Sequence, residues 1–150
     1  MVQLINKHLS PSRVWYQMIQ TDWWPHGLTP FRQWPGITCG GHLHPQQVIS
    51  LDLSSLGLYG TISPAIAKLT FLRRMDMSNK QFHGPIPQEI GLLFQLQCLD
   101  LSVNSIVGGI RPGLGSCLDL QRIILTNNNL TGQVPPSLTN LFSFSVLYVS

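Results

Sequence analysis

Cysteine and histidine are the residues of this chain best suited to catalysis or metal binding, and their spacing favours neither. Cys39, His42 and His44 could bind a metal, but three ligands in one loop without a fourth are a weak pattern. Cys98 lies at a predicted exposed strand position. As a nucleophile it would need a neighbouring base, and the only histidine after residue 44 is His83, in a predicted turn. We therefore predict no enzyme activity, no metal site and no cofactor.

Charged residues recur at a fixed spacing and suggest a binding surface. Asp52, Asp76 and Asp100 are evenly spaced, and Arg74 and Arg122 each lie two places before a position of this row. The acids could attract a cationic peptide, and the arginines could bind a ligand carboxylate. The alternatives are a solvated face, or arginines that pair with the adjacent aspartates. The candidate ligand-binding residues are Asp52, Arg74, Asp76, Asp100, Arg122, Ile124 and Tyr148.

An internal repeat determines the positions of these candidate residues in the fold. Four segments align without a gap from Val48, Leu72, Leu96 and Leu120, and a fifth begins at Phe144, so the period is constant and equals the length of Val48–Phe71. A glycine and a branched residue recur in every complete segment, at Gly60 and Ile62, Gly84 and Ile86, Gly108 and Ile110, and Gly132 and Val134. A sustained period of this length with regularly placed leucines is typical of a leucine-rich-repeat solenoid.

Each repeat has the pattern of one solenoid coil. Apolar residues two apart, such as Leu51 and Leu53, predict a strand with these side chains inward and the residues between them on the concave surface. Asn104 and Asn128 hold the following turn, where an amide can bond the backbone of adjacent coils. A second extended segment is predicted to start at the recurring glycine, as in the Gly-x-Ile-Pro that begins at Gly84, before a short helical turn. The predicted class is α/β: a right-handed solenoid with a parallel concave sheet and short helical turns on its convex side.

Composition divides the chain of 150 residues into a head and a body. All four tryptophans lie within residues 1–34, and we predict an irregular head at 1–32 that could contain a short helix. An apolar content of 43% with 10% charged residues argues against extended disorder. The net charge of +3 without a basic run argues against nucleic acid as a partner. No apolar run is long enough to insert into a membrane, and Lys7 and His8 interrupt any secretory signal.

The repeats resemble those of plant leucine-rich-repeat receptor-like kinase ectodomains. The resemblance is carried by LDLSSLGLYGTISPAIAKLTFLRRMDMSNKQFHGPIP, residues 51–87, and by QWPGITCG, residues 33–40, which is similar to the family's cap motif CxWxGVxC. It implies a cap remnant at 33–47 and four repeats plus a partial fifth at 48–150. It also implies a protein or peptide ligand, with a co-receptor as a further candidate partner, and a place on the outer side of the plasma membrane. The compartment of this chain is not indicated by its own residues.

Departures from the family pattern limit what the resemblance implies. Arg32 stands where the cap motif has its first cysteine, so Cys39 lacks the disulfide partner that the resemblance implies. Leu56 and Lys80 replace the turn asparagine in the first two repeats. The sequence contains no Gly-rich phosphate loop, HRD-type catalytic loop or DFG, so kinase activity would belong to the full-length family.

These observations favour a protein- or peptide-binding module related to receptor signalling or defence. Two alternatives stay open: a small secreted leucine-rich protein, such as an inhibitor of microbial wall-degrading enzymes, and a gene fragment without independent function. The only N-x-S/T sequon begins at Asn129, and it would be glycosylated only in the secretory pathway.

Overall fold

The computed structural model describes residues 35–41, 47–54, 58–141 and 146–148. The predicted head at 1–32, with its short helix, lies outside these described residues, as do His42 and His44. The repeats that carry the candidate ligand-binding residues are almost entirely described.

The first sheet is built from the first strand of each repeat and one strand before them. Its strands are β1 (Ile37–Cys39), β2 (Val48–Asp52), β4 (Arg74–Asp76), β6 (Cys98–Asp100), β8 (Arg122–Ile124) and β10 (Val146–Tyr148), in that spatial order. From β2 onward all neighbours are parallel, and residues one period apart are direct partners, such as Leu51 with Met75. The sequence period therefore sets the register, and equivalent side chains stack from coil to coil.

The cap motif forms the first edge of this sheet. β1 runs antiparallel to β2, with Ile37 opposite Leu51. Gly36 precedes β1 with φ +81°, and its carbonyl accepts the backbone N–H of Asp52 at 2.7 Å. A Cβ at Gly36 would collide with the carbonyl oxygen of Asp52, so the motif requires glycine at this place. The motif thus covers a strand edge that would otherwise be open to other chains.

A second, parallel sheet lies after the turn of each repeat. Its strands are β3 (Tyr59–Thr61), β5 (Gln81–Pro85), β7 (Ser105–Gly108) and β9 (Asn129–Leu130), in that order. The prediction that this extended segment starts at the glycine was wrong, because every strand begins before it. Gly84 and Gly108 have φ of +77° and +81°, so the chain changes direction at these glycines, near the ends of β5 and β7.

The convex side carries four short 3₁₀ helices. They are Pro64–Lys68, Gln88–Leu92, Pro112–Ser116 and Pro136–Asn140. Among the described residues these are the helical segments, so the helical part of the predicted α/β class is 3₁₀ and not α. Each places one apolar residue in the core, and these residues are Ile66, Ile90, Leu114 and Leu138. Tight packing between coils has no room for a side chain at Gly91, where a Cβ would collide with the carbonyl of Gly113.

The core is one continuous row of apolar side chains between the coils. The predicted inward pairs are all buried, with at most 2% exposure, and they are Leu51 and Leu53, Met75 and Met77, Leu99 and Leu101, and Ile123 and Leu125. Val134 is 41% exposed, whereas its equivalent Ile86 is fully buried. A residue at this position is covered by the next coil. Within the described residues, the part of the chain after the fourth coil is β10, which belongs to the first sheet and not to the second.

The turns after β4, β6 and β8 each contain a residue in the left-handed conformation. Asn79, Val103 and Asn127 occupy this place with φ of 54°, 55° and 57°. Asparagine tolerates this conformation, whereas a β-branched residue is strained in it. Val103 is therefore the one described repeat position where the residue type opposes the local backbone conformation.

Candidate ligand-binding face

Two columns of side chains lie on the outer face of the first sheet. The column nearer the start of the strands contains Ser50, Arg74, Cys98 and Arg122, and the next contains Asp52, Asp76, Asp100 and Ile124. We call these eight residues the ligand face. In the backbone register, β10 pairs Tyr148 with Ile124. The structure thus brings six candidate residues together on one surface, as their spacing predicts. They are Asp52, Arg74, Asp76, Asp100, Arg122 and Ile124.

The aspartates are engaged by their own turns. Oδ1 of Asp76 accepts the hydroxyl of Ser78 at 2.7 Å and its backbone N–H at 3.0 Å. Asp52 with Ser54, and Asp100 with Ser102, repeat this pair of bonds at 2.6–3.0 Å. The Asp-x-Ser pattern is visible in the sequence but was overlooked as a structural signal. Each carboxylate therefore stabilises the turn that follows its own strand.

These bonds also affect protonation of the first aspartate. The hydroxyl and backbone N–H bonds from Ser54 favour the charged carboxylate and lower the pKa of Asp52 below its ordinary value of 3.8. Arg74 and Lys80 lower it further by a smaller effect, and slight burial opposes them. Asp52 is thus held as an anion whose charge is largely committed to the turn.

The arginines remain available on the ligand face. Arg74 and Arg122 are exposed, and no ion pair joins either of them to an aspartate within the described part of the chain. The charge of Arg74 still acts on the face, because it contributes to the lowered pKa of Asp52. Two strand spacings, about 10 Å, separate the two arginines. Their donors can face a ligand that lies across three coils.

Cys98 lies between the two arginines and is half-buried, not exposed as predicted. Burial raises the pKa of its thiol, although Arg122 and Arg74 act in the opposite direction. The thiol is therefore protonated at neutral pH. His83 belongs to β5 in the second sheet, so it is not placed to act as a base for Cys98.

The other two cysteines, Cys117 and Cys39, are buried and half-buried within the fold. Cys117 is fully buried, its Sγ lies 3.4 Å from the carbonyl oxygen of Ile90, and burial raises its pKa to about 11. Cys39 lies in β1 and is half-buried. Within the described ranges no group of three or more potential ligands could hold a metal ion, and His42 and His44 lie outside them.

Two asparagines support the face from below. Asn128 accepts the N–H of Ile106 at 3.1 Å and donates to the carbonyls of Leu101 and Leu125 at 2.8 and 3.0 Å. Asn104 makes the equivalent bonds one coil earlier. Both amides thus link backbone groups of adjacent coils and fix the spacing of the strands that carry the face.

Comparison with known proteins agrees with this architecture. Residues 95–117 and 119–141 match the family model described as Leucine Rich Repeat. The chain carries leucine-rich repeats. The two matched segments are the repeats with the turn asparagines Asn104 and Asn128, whereas Leu56 and Lys80 occupy that place in the two earlier repeats.

Similar proteins and solved structures include plant receptor kinases. The chain is 42% identical over 53 residues to the LRR receptor-like serine/threonine-protein kinase GSO2 of Arabidopsis thaliana, which is 35% of this chain and 4% of that protein. The LRR ectodomain of the Arabidopsis receptor kinase SOBIR1 superposes with a TM-score of 0.75 at 29% identity, over 95% of this chain and 80% of that one. The plant peptide hormone receptor RGFR1, solved in complex with RGF2, gives 0.60 at 35% identity, over 61% and 15%.

The chain spans only a small part of the curated relatives it matches, from 4% to 8% of the lengths of the first three. The shared part is the repeat region. Across the part of the chain that the structure describes, no helix is both long and apolar enough to cross a membrane.

Proposed function

We propose that this chain is a ligand-recognition module that binds a peptide or protein segment across the ligand face, on the extracellular side of a plant plasma membrane. The observation that carries the proposal is the pair of exposed arginines, Arg74 and Arg122, neither of which forms a hydrogen bond or ion pair with a carboxylate among the described residues. The similarity to plant receptor ectodomains, including one solved with a peptide hormone, supports the class of ligand.

The charges of the face favour a ligand that carries carboxylates. Each aspartate of the face already accepts two bonds from the serine that follows it. Because Arg74 and Arg122 have no such partner, an acidic ligand gains charged hydrogen bonds there without breaking existing ones. A cationic ligand would instead compete with the serines and face two like charges. We therefore propose an acidic peptide, with Ile124 as an apolar contact beside Arg122.

A random-peptide display library selected on the full chain tests the proposal. Selected peptides should be enriched in Asp, Glu or a free C-terminal carboxylate. Loss of a charged hydrogen bond is worth about 1.5–3 kcal/mol. Arg74→Gln and Arg122→Gln should therefore each weaken binding roughly 10- to 100-fold. Arg111→Gln is a control outside the ligand face, since Arg111 is exposed and precedes a 3₁₀ helix. Because Nε of Arg111 donates to the carbonyl of Ile86 at 3.1 Å, circular dichroism first checks that this variant is folded.

Two results would contradict the proposal. One is selection of basic peptides, which would assign recognition to the aspartates. The other is an equal loss of affinity in Arg74→Gln and Arg111→Gln, which would place binding outside the face. Isothermal titration at two salt concentrations adds a check, since affinity through exposed arginines should fall as ionic strength rises.

A further inference from the structure

The sequon at Asn129 lies where the fold leaves its acceptor amide in solvent. Three consecutive asparagines have three different surroundings. Asn127 adopts the left-handed conformation of the turn, with φ 57°. The amide of Asn128 is bonded to the backbone of adjacent coils. Asn129, at the start of β9, is exposed. Asn127 and Asn129 are both exposed, and of these two only Asn129 begins a sequon.

The surroundings of this amide are open. Residues 131–134 are all exposed, including Thr131, the third residue of the sequon. The backbone N–H of Thr131 bonds to the carbonyl of Gly108 at 2.9 Å, which holds the segment against the preceding coil. A Cβ added at Gly132 would meet nothing within 4 Å. An oligosaccharide at Asn129 therefore has space without any change of the backbone.

We propose that Asn129 carries an N-linked glycan when the chain passes through the secretory pathway. The donor class is a lipid diphosphate-linked oligosaccharide. A bond forms between Nδ2 of Asn129 and C1 of the first N-acetylglucosamine, and the bond from C1 to the diphosphate oxygen breaks. The lipid diphosphate leaves with the electron pair of that bond, and the amide loses one proton.

The position of β9 determines what the glycan covers. Asn129 is the direct partner of Val107 in the second sheet, and Val107 is 39% exposed. Partners in a parallel pair share a face and lie about 4.8 Å apart. The first sugar therefore lies over Val107. Because Asn129 belongs to the second sheet and the ligand face to the first, the glycan leaves Arg74 and Arg122 unobstructed.

Mass spectrometry of the secreted chain tests the site. The full chain is fused behind a cleavable secretion signal, produced in a human cell line and measured before and after treatment with peptide-N-glycosidase F. We expect one glycan per chain, with Asn129 converted to Asp by the enzyme. Asn129→Gln and Thr131→Ala should each lose the glycan, and Thr131→Ser should keep it.

A secreted wild-type chain without a glycan would overturn the proposal, as would a glycan that persists in Asn129→Gln. If a variant is not secreted, peptide mapping of the wild-type chain still tests the site, since it locates the modified residue directly.

Binding of a hydrophobic dye tests the contact with Val107. Enzymatic removal of the glycan should increase dye binding in the wild type and not in Val107→Thr. An equal increase in both would refute the contact.

Discussion

Removal of the Asn128 amide should destabilise the fold, whereas removal of its neighbour should not. Asn128→Ala leaves three backbone groups without their partner: the N–H of Ile106 and the carbonyls of Leu101 and Leu125. An unsatisfied buried group costs about 1–3 kcal/mol. The site is half-buried, and Leu101 keeps a second donor in Asn104, so water and this bond reduce the loss. We expect a loss of about 2–3 kcal/mol of unfolding free energy.

Urea denaturation followed by circular dichroism measures this loss. For a urea slope near 2 kcal/mol per M, the midpoint of Asn128→Ala should fall by roughly 1 M. Asn129→Ala changes an exposed side chain and should stay within about 0.5 kcal/mol of the wild type. Both substitutions remove the same atoms, so the comparison isolates the position. Equal midpoints would refute the assignment of the amide ladder.

The carbonyl of Leu101 predicts how the two ladder positions interact. It accepts a bond from Asn104 at 3.0 Å and another from Asn128 at 2.8 Å. Either single substitution leaves it one donor, and the double substitution leaves it none. The double variant should therefore lose more than the sum of the two single losses, by about 0.5–2 kcal/mol. Strict additivity would mean that the shared carbonyl is satisfied by water.

Further outcomes follow from the backbone and from protonation. Val103→Asn should raise the unfolding free energy by about 1 kcal/mol in urea denaturation, because the left-handed conformation strains valine more than asparagine. Gly91→Ala should lower the melting temperature or prevent folding, since its Cβ would collide with the carbonyl of Gly113; an unchanged melt would contradict the packing of the 3₁₀ helices. Because the pKa of Asp52 is lowered by Ser54, the stability from these bonds is present above pH 3.8 and lost as the pH falls through the folded pKa. Asp52→Asn should flatten the decline in melting temperature below pH 4, and an unchanged slope would contradict this role.

The repeat pattern was sufficient to predict the fold because its two determinants are local. Side chains two apart share one face of a strand, and a constant sequence period stacks these faces, so the inward positions of Leu51 and Met75 could be assigned from spacing. The strain at Val103 could not be assigned from spacing, since valine is a poor residue for a left-handed turn and gives no sequence signal of one.

The ligand face was predicted in position but not in charge. Spacing brought Asp76 and Arg74 to one surface, and opposite charges on one face suggested that they pair. Whether a carboxylate pairs with an arginine or with its own turn depends on the backbone at the end of the strand. In the second repeat, Oδ1 of Asp76 accepts the hydroxyl of Ser78 at 2.7 Å. The recurring Asp-x-Ser pattern is the sequence signal that could have identified it.

In a solenoid, residues that recur in every coil and residues that break the recurrence have different uses. The aspartates at 52, 76 and 100 recur, and each makes the same two bonds within its own coil. The preceding column does not recur: it reads Ser50, Arg74, Cys98 and Arg122 along the same register. A residue whose bonds lie within its own coil can recur from coil to coil, whereas a residue that contacts a ligand needs to appear only where the ligand lies. The irregular column is therefore where recognition is expected. Its two arginines lie on either side of Cys98 in the register, one coil away from it in each direction, so the proposed ligand would span at least three coils.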